Sequence, residues 1–98
     1  MASGYIGILS FELYFPENHS LKGKRKDLLS VKAQLQRRFG ASVAEVDHHD
    51  VWQRARLTLA CVARGHNEVQ GLLDGAERYL IGQAFELVGV ERDIVTLE

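Results

Sequence analysis

Between Tyr5 and Phe15 the chain is rich in β-forming residues and apolar on both alternating sets, and the only proline, Pro16, closes the run. This pattern predicts a central strand. From Leu21 the period changes. Leu28, Val31, Leu35 and Phe39 recur at helical spacing, Ser20 precedes them as an N-cap and Gly40 follows as a stop signal, which predicts a helix over about 21–39. Ala41 to Asp47 alternates around Ala44 and Val46 as a short strand, and Asp47-His48-His49-Asp50 then makes a polar loop. Arg54 to Arg64 alternates cleanly, with Leu57, Leu59, Cys61 and Ala63 on one side and Arg56, Thr58, Ala60 and Val62 on the other. Asn67 with Gln70 has the spacing of a capping box, and Val69, Leu72, Leu73, Ala76 and Leu80 predict a second amphipathic helix to about Gly82. Phe85 to Leu97 is the last strand, with Gly89 as a bulge position.

The order β-α-β-β-α-β, in two similar halves, predicts an α+β ferredoxin-like sandwich: a four-stranded antiparallel sheet with both helices on one face, a single domain over 1–98. The first and third strands are central in that layout, and the second and fourth are edges. The helix-free face would present Ile6, Ile8, Ser10, Glu12 and Tyr14 beside Arg56, Thr58, Ala60 and Val62. A half-apolar open sheet of this kind suits a homodimer interface.

At 98 residues the chain is long enough to bury about two thirds of its unfolded surface and to fold without staples. The lone Cys61, in an apolar alternating run, reads as a small buried thiol, and one unpaired cysteine suits a reducing cytosol. Met1-Ala2-Ser3-Gly4 lacks the basic region of a signal peptide, and no apolar run approaches a membrane span. A cytoplasmic protein without membrane attachment is expected.

Net charge is only −1, yet charge is segregated along the chain. Residues 1–40 carry seven cations against three acids, whereas 41–98 carry ten acids against five arginines. All seven cations lie between Lys22 and Arg38, in the predicted first helix: Lys22, Lys24, Arg25, Lys26, Lys32, Arg37 and Arg38. Four of them surround its first turn. Positive side chains there oppose the helix dipole, each at up to about 1 kcal/mol, where an acid would have helped. The clustering therefore points to an anionic partner, with phosphate the natural ligand. Arg25 and Lys32 fall inside the stripe marked by Leu21, Leu28 and Phe39, where a purely structural helix would carry apolar residues. The competing structural account has Arg25 or Lys32 snorkelling off the core to pair with Glu45 or Asp47. Both accounts stand on the sequence.

Other chemistry has weaker signals. Asp47-His48-His49-Asp50 collects four potential metal ligands, but adjacent histidines on an extended loop point apart, and no Cys-pair or His-x-x-x-His spacing accompanies them. Turn formation and backbone hydrogen bonds are the expected roles, with Trp52 anchoring the loop against a core edge. Ser10, Ser20, Ser30 and Ser42 lack a nucleophile elbow, and Cys61 has no basic partner nearby in the chain. Neither a Gly-x-Gly-x-x-Gly turn nor a Walker-type loop is present, so no catalytic residue, metal or cofactor is assigned. RNA-recognition modules share the predicted fold order but stack bases on aromatics of their central strands, whereas here the third strand offers Thr58, Ala60 and Val62. RNA would instead be held by its backbone along the helix, with little sequence preference.

Ser20-Leu21-Lys22, Lys24-Arg25, Glu45-Val46-Asp47, His49-Asp50 and Trp52-Gln53-Arg54-Ala55 resemble the signature segments of the YlxP-like family of small bacterial proteins, over nearly the whole chain. The resemblance implies a ferredoxin-like fold and no established activity. It also carries an associational hint, because genes of this family often neighbour those of translation initiation and ribosome maturation factors. Gly23 departs from the acidic or polar residue expected there, and glycine loosens a helix start by up to about 1 kcal/mol relative to alanine. The leading expectation is a non-enzymatic RNA- or ribosome-associated protein that grips phosphates through the seven cations. A homodimeric interaction module using the open sheet comes second, and a small metal-dependent or acid–base enzyme using His48, His49 and Asp50 ranks last.

Overall fold

The computed structural model describes residues 2–98. Met1, which opens the N-terminal stretch read above for a signal peptide, lies outside them. The elements run β1 (Tyr5–Tyr14), α1 (Leu21–Phe39), β2 (Ser42–Asp47), β3 (Arg54–Ala63), α2 (His66–Ile81) and β4 (Glu86–Thr96). Four strands form one antiparallel sheet in the order β2-β3-β1-β4, with β1 and β3 central and β2 and β4 at the edges. This is the ferredoxin-like α+β layout that the alternation predicts.

Period-two patterning decides the register. Leu9 pairs with Leu59, Phe11 with Leu57 and Leu13 with Ala55, and all six side chains point to the helix-covered face, where each is 1 % exposed or less. A slip of one residue would turn that row out to water. Leu35 of α1 and Val69, Leu73 and Leu80 of α2 complete the core from above and are fully buried. Gly7 is needed where α2 comes closest, because a Cβ there would sit 3.1 Å from the Leu73 side chain. Cys61 is buried in the same row, and its burial pushes the thiol pKa up.

The terminal signals of α1 hold. Ser20 is the N-cap, extended, with Oγ accepting from the Gly23 N–H at 3.0 Å. Gly40 ends the helix in the left-handed region at φ 62°, its N–H donating to the Gln36 carbonyl at 3.0 Å. The capping box expected at Asn67 does not form. Gly65 is the N-cap of α2, without a side-chain bond, and Asn67 lies inside the first turn. The His66 ring meets Tyr5 edge-on at 5.6 Å. In the β1–β4 pairing the register slips between Ser10 and Glu12 of β1, opposite Gly89 of β4 at φ 60°, so the bulge falls at the glycine. Among the described residues, no helix is long and apolar enough to cross a membrane.

Candidate nucleic-acid interface

The buried stripe of α1 is Lys24, Leu28, Val31 and Leu35, with Phe39 packed against the core, so the expected apolar positions hold, but the cation among them is Lys24: Arg25 is exposed and Lys32 is half-buried. Lys24 is thus corrected from an outward phosphate ligand to an inward structural cation. Its side chain is 1 % exposed, and Nζ donates to the carbonyls of His48 at 2.7 Å, Arg54 at 3.1 Å and His49 at 3.3 Å, with Glu45 Oε2 at 3.1 Å. An ammonium has three protons, and three carbonyls take them. Snorkelling to Glu45 does occur, but from Lys24 instead of Arg25 or Lys32.

The other six cations of α1 are not neutralised: among the described residues, none of Lys22, Arg25, Lys26, Lys32, Arg37 and Arg38 has a carboxylate oxygen within 4.0 Å. Three of the five arginines elsewhere are paired, Arg54 with Glu12, Arg56 with Glu91, and Arg92 with Asp74 and Glu77. The six do not form a single strip. At roughly 100° per residue, Lys22, Lys26 and Arg37 share the outward ridge with Leu29, which is 69 % exposed; Arg25 and Lys32 lie on the shoulder near β2. Arg38 is on the opposite shoulder, where Nε donates to Gln34 Oε1 at 3.0 Å and the guanidinium lies 5.0 Å from the Tyr79 ring centroid. Asp27, the one acid of the helix, also faces that side and lines a groove with Tyr79 and Gln83. The outward ridge is therefore free of acids.

Beside the helix start, the β2–β3 loop folds over the Lys24 ammonium. His48 takes φ 65°, and its Nε2 is 3.1 Å from Glu12 Oε1 on the open sheet face. The His49 ring turns to the Glu45 carbonyl, at 3.1 Å. The two imidazoles diverge, and no group of three or more His, Cys, Asp or Glu that could hold a metal occurs among the described residues. Arg54 Nε donates to Glu12 Oε2 at 2.9 Å, and chiefly this bond holds the Glu12 carboxyl below its ordinary pKa, against burial and with help from His48. Trp52 does not anchor the loop against the core, as expected from sequence; it is 54 % exposed. The backbone of the loop does the anchoring. Phe15 N–H donates to the Gln53 carbonyl at 2.8 Å, Gln53 Nε2 to the Pro16 carbonyl at 3.1 Å, and Asn18 Nδ2 to the carbonyls of both Ser20 and Trp52.

Asn18 also accounts for Gly23. Its Oδ1 lies against that glycine, so close that a Cβ there would be 2.4 Å away. The residue that departs from the family pattern leaves room for the amide joining the two loops. On the open face, Glu12, His48, Arg54, Arg56 and Glu91 make an ionic end, while Ile6, Ile8, Ala60, Val62 and Val95 lie towards the other end. Thr58 donates to Ser10 at 3.0 Å between the two ends. The exposed tryptophan and the inward turn of Lys24 were missed in sequence. The one signal for the stripe was that Lys24, Leu28, Val31 and Leu35 share a spacing of four, three and four.

A family model described as "Protein of unknown function (DUF503)" matches residues 6–92. The chain is 33% identical over 58 residues to the uncharacterized protein YlxP of Bacillus subtilis (strain 168), over 59% of this chain and 63% of that protein, so the match spans less than two thirds of the relative. Among solved structures, the de novo designed protein Ferredog-Diesel superposes with a TM-score of 0.43 at 20% identity, over 88% of this chain and 83% of that one.

Proposed function

The chain belongs to the DUF503 family of proteins of unknown function, and from its geometry we propose a non-enzymatic cytoplasmic protein that binds the phosphate backbone of RNA, on the ribosome or a precursor of it. One observation carries this reading: among the described residues, six cations of α1 have no carboxylate partner, whereas three of the other five arginines do. Had the fold needed those charges for itself, Glu45 and its neighbours would have taken more than Lys24. Lys22, Lys26 and Arg37 on the outward ridge, with Arg25 and Lys32 on its shoulder, form the phosphate-binding set; Arg38 extends it at the far end. Neighbouring translation genes, implied by the family resemblance, support the ribosomal partner by association only.

Binding by charge releases counterions, so affinity must depend on salt. Three or four phosphates neutralised on single-stranded RNA give a slope of about −2 to −3 for log affinity against log salt. Filter binding of ribosomal RNA across a salt series tests this, and salt-independent binding or none at all would overturn it.

A second reading is favoured by the exposed apolar end of the open sheet, where Val62 is 71 % and Val95 39 % exposed. Two copies stacked on that end would bury Ile6, Ile8, Ala60 and Val62 while leaving the ionic end and α1 outside. Sedimentation at micromolar concentration decides it, and a monomer throughout removes it.

A further inference from the structure

Trp52 is the only tryptophan of the chain, and it stands out in solvent on a loop whose backbone is fastened from both sides. An indole gains more from burial than almost any other side chain, so holding one outside on a rigid mount suggests a partner surface for it. The mount is tight. Lys24 gathers the carbonyls of His48, His49 and Arg54, Val51 N–H closes a turn on the His48 carbonyl at 3.1 Å, and Gln53 is tied through Phe15 and Pro16 to the end of β1. Little ordering entropy then remains to be lost on binding.

The position of the mount narrows the ligand. Asn18 Nδ2 donates at once to the Trp52 carbonyl and to the carbonyl of Ser20, the cap of α1, so the aromatic site adjoins the turn bearing Lys22, Arg25 and Lys26. Those three side chains are exposed and without carboxylate partners among the described residues. An aromatic face next to several cations matches a ligand that alternates flat π-surfaces with negative charges. We infer that Trp52 is a stacking platform for an unpaired base of single-stranded RNA, with Lys22, Arg25 and Lys26 holding the neighbouring phosphates. This rests on the phosphate-binding reading above and goes beyond it, since phosphates alone do not separate single strands from duplexes. A duplex stacks its bases on one another and leaves no face for the indole. The open sheet does not supply the platform, because its central strands present Ser10, Thr58, Ala60 and Val62 there. Base contact has moved from the sheet to the loop.

The lone tryptophan provides the readout. Oligoadenylate titrated into the full-length chain should quench indole emission and bind about tenfold more tightly than the same strand annealed to oligouridylate. In filter binding, which needs no indole, Trp52→Ala should remove that preference, weakening single-strand binding about tenfold with the salt slope unchanged, while Trp52→Phe retains most of it. Because the side chain is exposed, circular dichroism should show both variants folded. Equal binding of single strand and duplex without quenching would overturn the platform and leave the phosphate reading intact. Binding of neither would remove both. Polyglutamate that quenched as strongly as oligoadenylate would assign the site to an acidic protein and overturn this inference.

Discussion

The Lys24 ammonium lies 3.1 Å from Glu45 Oε2, yet the two do not share a hydrogen bond: the three protons go to backbone carbonyls, and that carboxylate oxygen is buried without a donor. Glu45 balances charge, and the carbonyls of His48, His49 and Arg54 take the geometry. Lys24 is therefore a tethered cation around which the β2–β3 loop is wound.

Lys24→Met keeps the stem and removes both charge and donors. It strands a largely buried carboxylate and three carbonyls at once, and breaking a buried pair from one side costs about 3–5 kcal/mol. Urea denaturation should show a loss of that order. Lys24→Met with Glu45→Gln should recover part of it, because the second change removes the unbalanced charge. A loss below about 1 kcal/mol in the single variant, the scale of an exposed pair, would contradict the inward placement.

Lys24 also marks the limit of what the chain reveals unaided. Strand alternation at Leu57, Leu59, Cys61 and Ala63, and the end signals at Ser20 and Gly40, depend on residues close in sequence, and they match the observed elements. The fate of a lysine on a helix depends on what the fold brings to it. Here the acceptors come from residues 45–54, beyond the whole of α1, and no local pattern announces them. Trp52 is the converse case. Its bulk predicts burial, while the bonds that fasten its loop are made by Lys24, neighbouring backbone, Asn18 and Gln53, which leaves the indole unused. For the candidate site, the cationic helix and its polar neighbour loop were legible, but which cations face outward was not.

Charge reversal at Lys22 separates binding from folding. The first turn of α1 has no acid, and a carboxylate there interacts favourably with the helix dipole, by about 0.3–1 kcal/mol. Lys22→Glu should therefore leave the thermal midpoint unchanged or slightly raised while RNA affinity falls. Adding Lys26→Glu should flatten the salt slope further, by about 0.7 for each phosphate of a single strand that is no longer neutralised. Filter binding and thermal melts of the same samples make the comparison, and reduced affinity accompanied by reduced stability would point to a structural role for these lysines.

Glu12 sets an acid limb. The Arg54 hydrogen bond, aided by His48 and opposed by burial, lowers its pKa in the folded chain from the ordinary 4.5. A group with a depressed folded pKa contributes its stabilisation above the unfolded value and loses it as pH falls through the folded one. Urea midpoints should accordingly decline as pH drops below about 4.5, and Glu12→Gln should make that decline shallower. The effect is modest, because Arg54 is half exposed and solvent screens the pair. An identical acid limb in wild type and Glu12→Gln would show that the Arg54 bond does not persist in solution.

Gly23→Ala puts helix propensity against the loop junction. Alanine favours a helix over glycine by up to about 1 kcal/mol. Its Cβ, however, would displace the Asn18 amide, whose bonds to the Ser20 and Trp52 carbonyls contribute about 0.5–1.5 kcal/mol each. Both bonds are exposed to solvent and so sit at the low end of that range, where the two effects offset each other in global stability and the change should show in the loop. The expected result is a thermal midpoint within a few degrees of wild type together with faster depolarisation of the Trp52 fluorescence, as the loop loses its link to the cap of α1. Asn18→Ala should loosen the indole in the same way but lower the midpoint, having no helix gain to offset the broken bonds. If Gly23→Ala left the indole as rigid as before, the junction through Asn18 would not be what holds Trp52 beside the cationic helix.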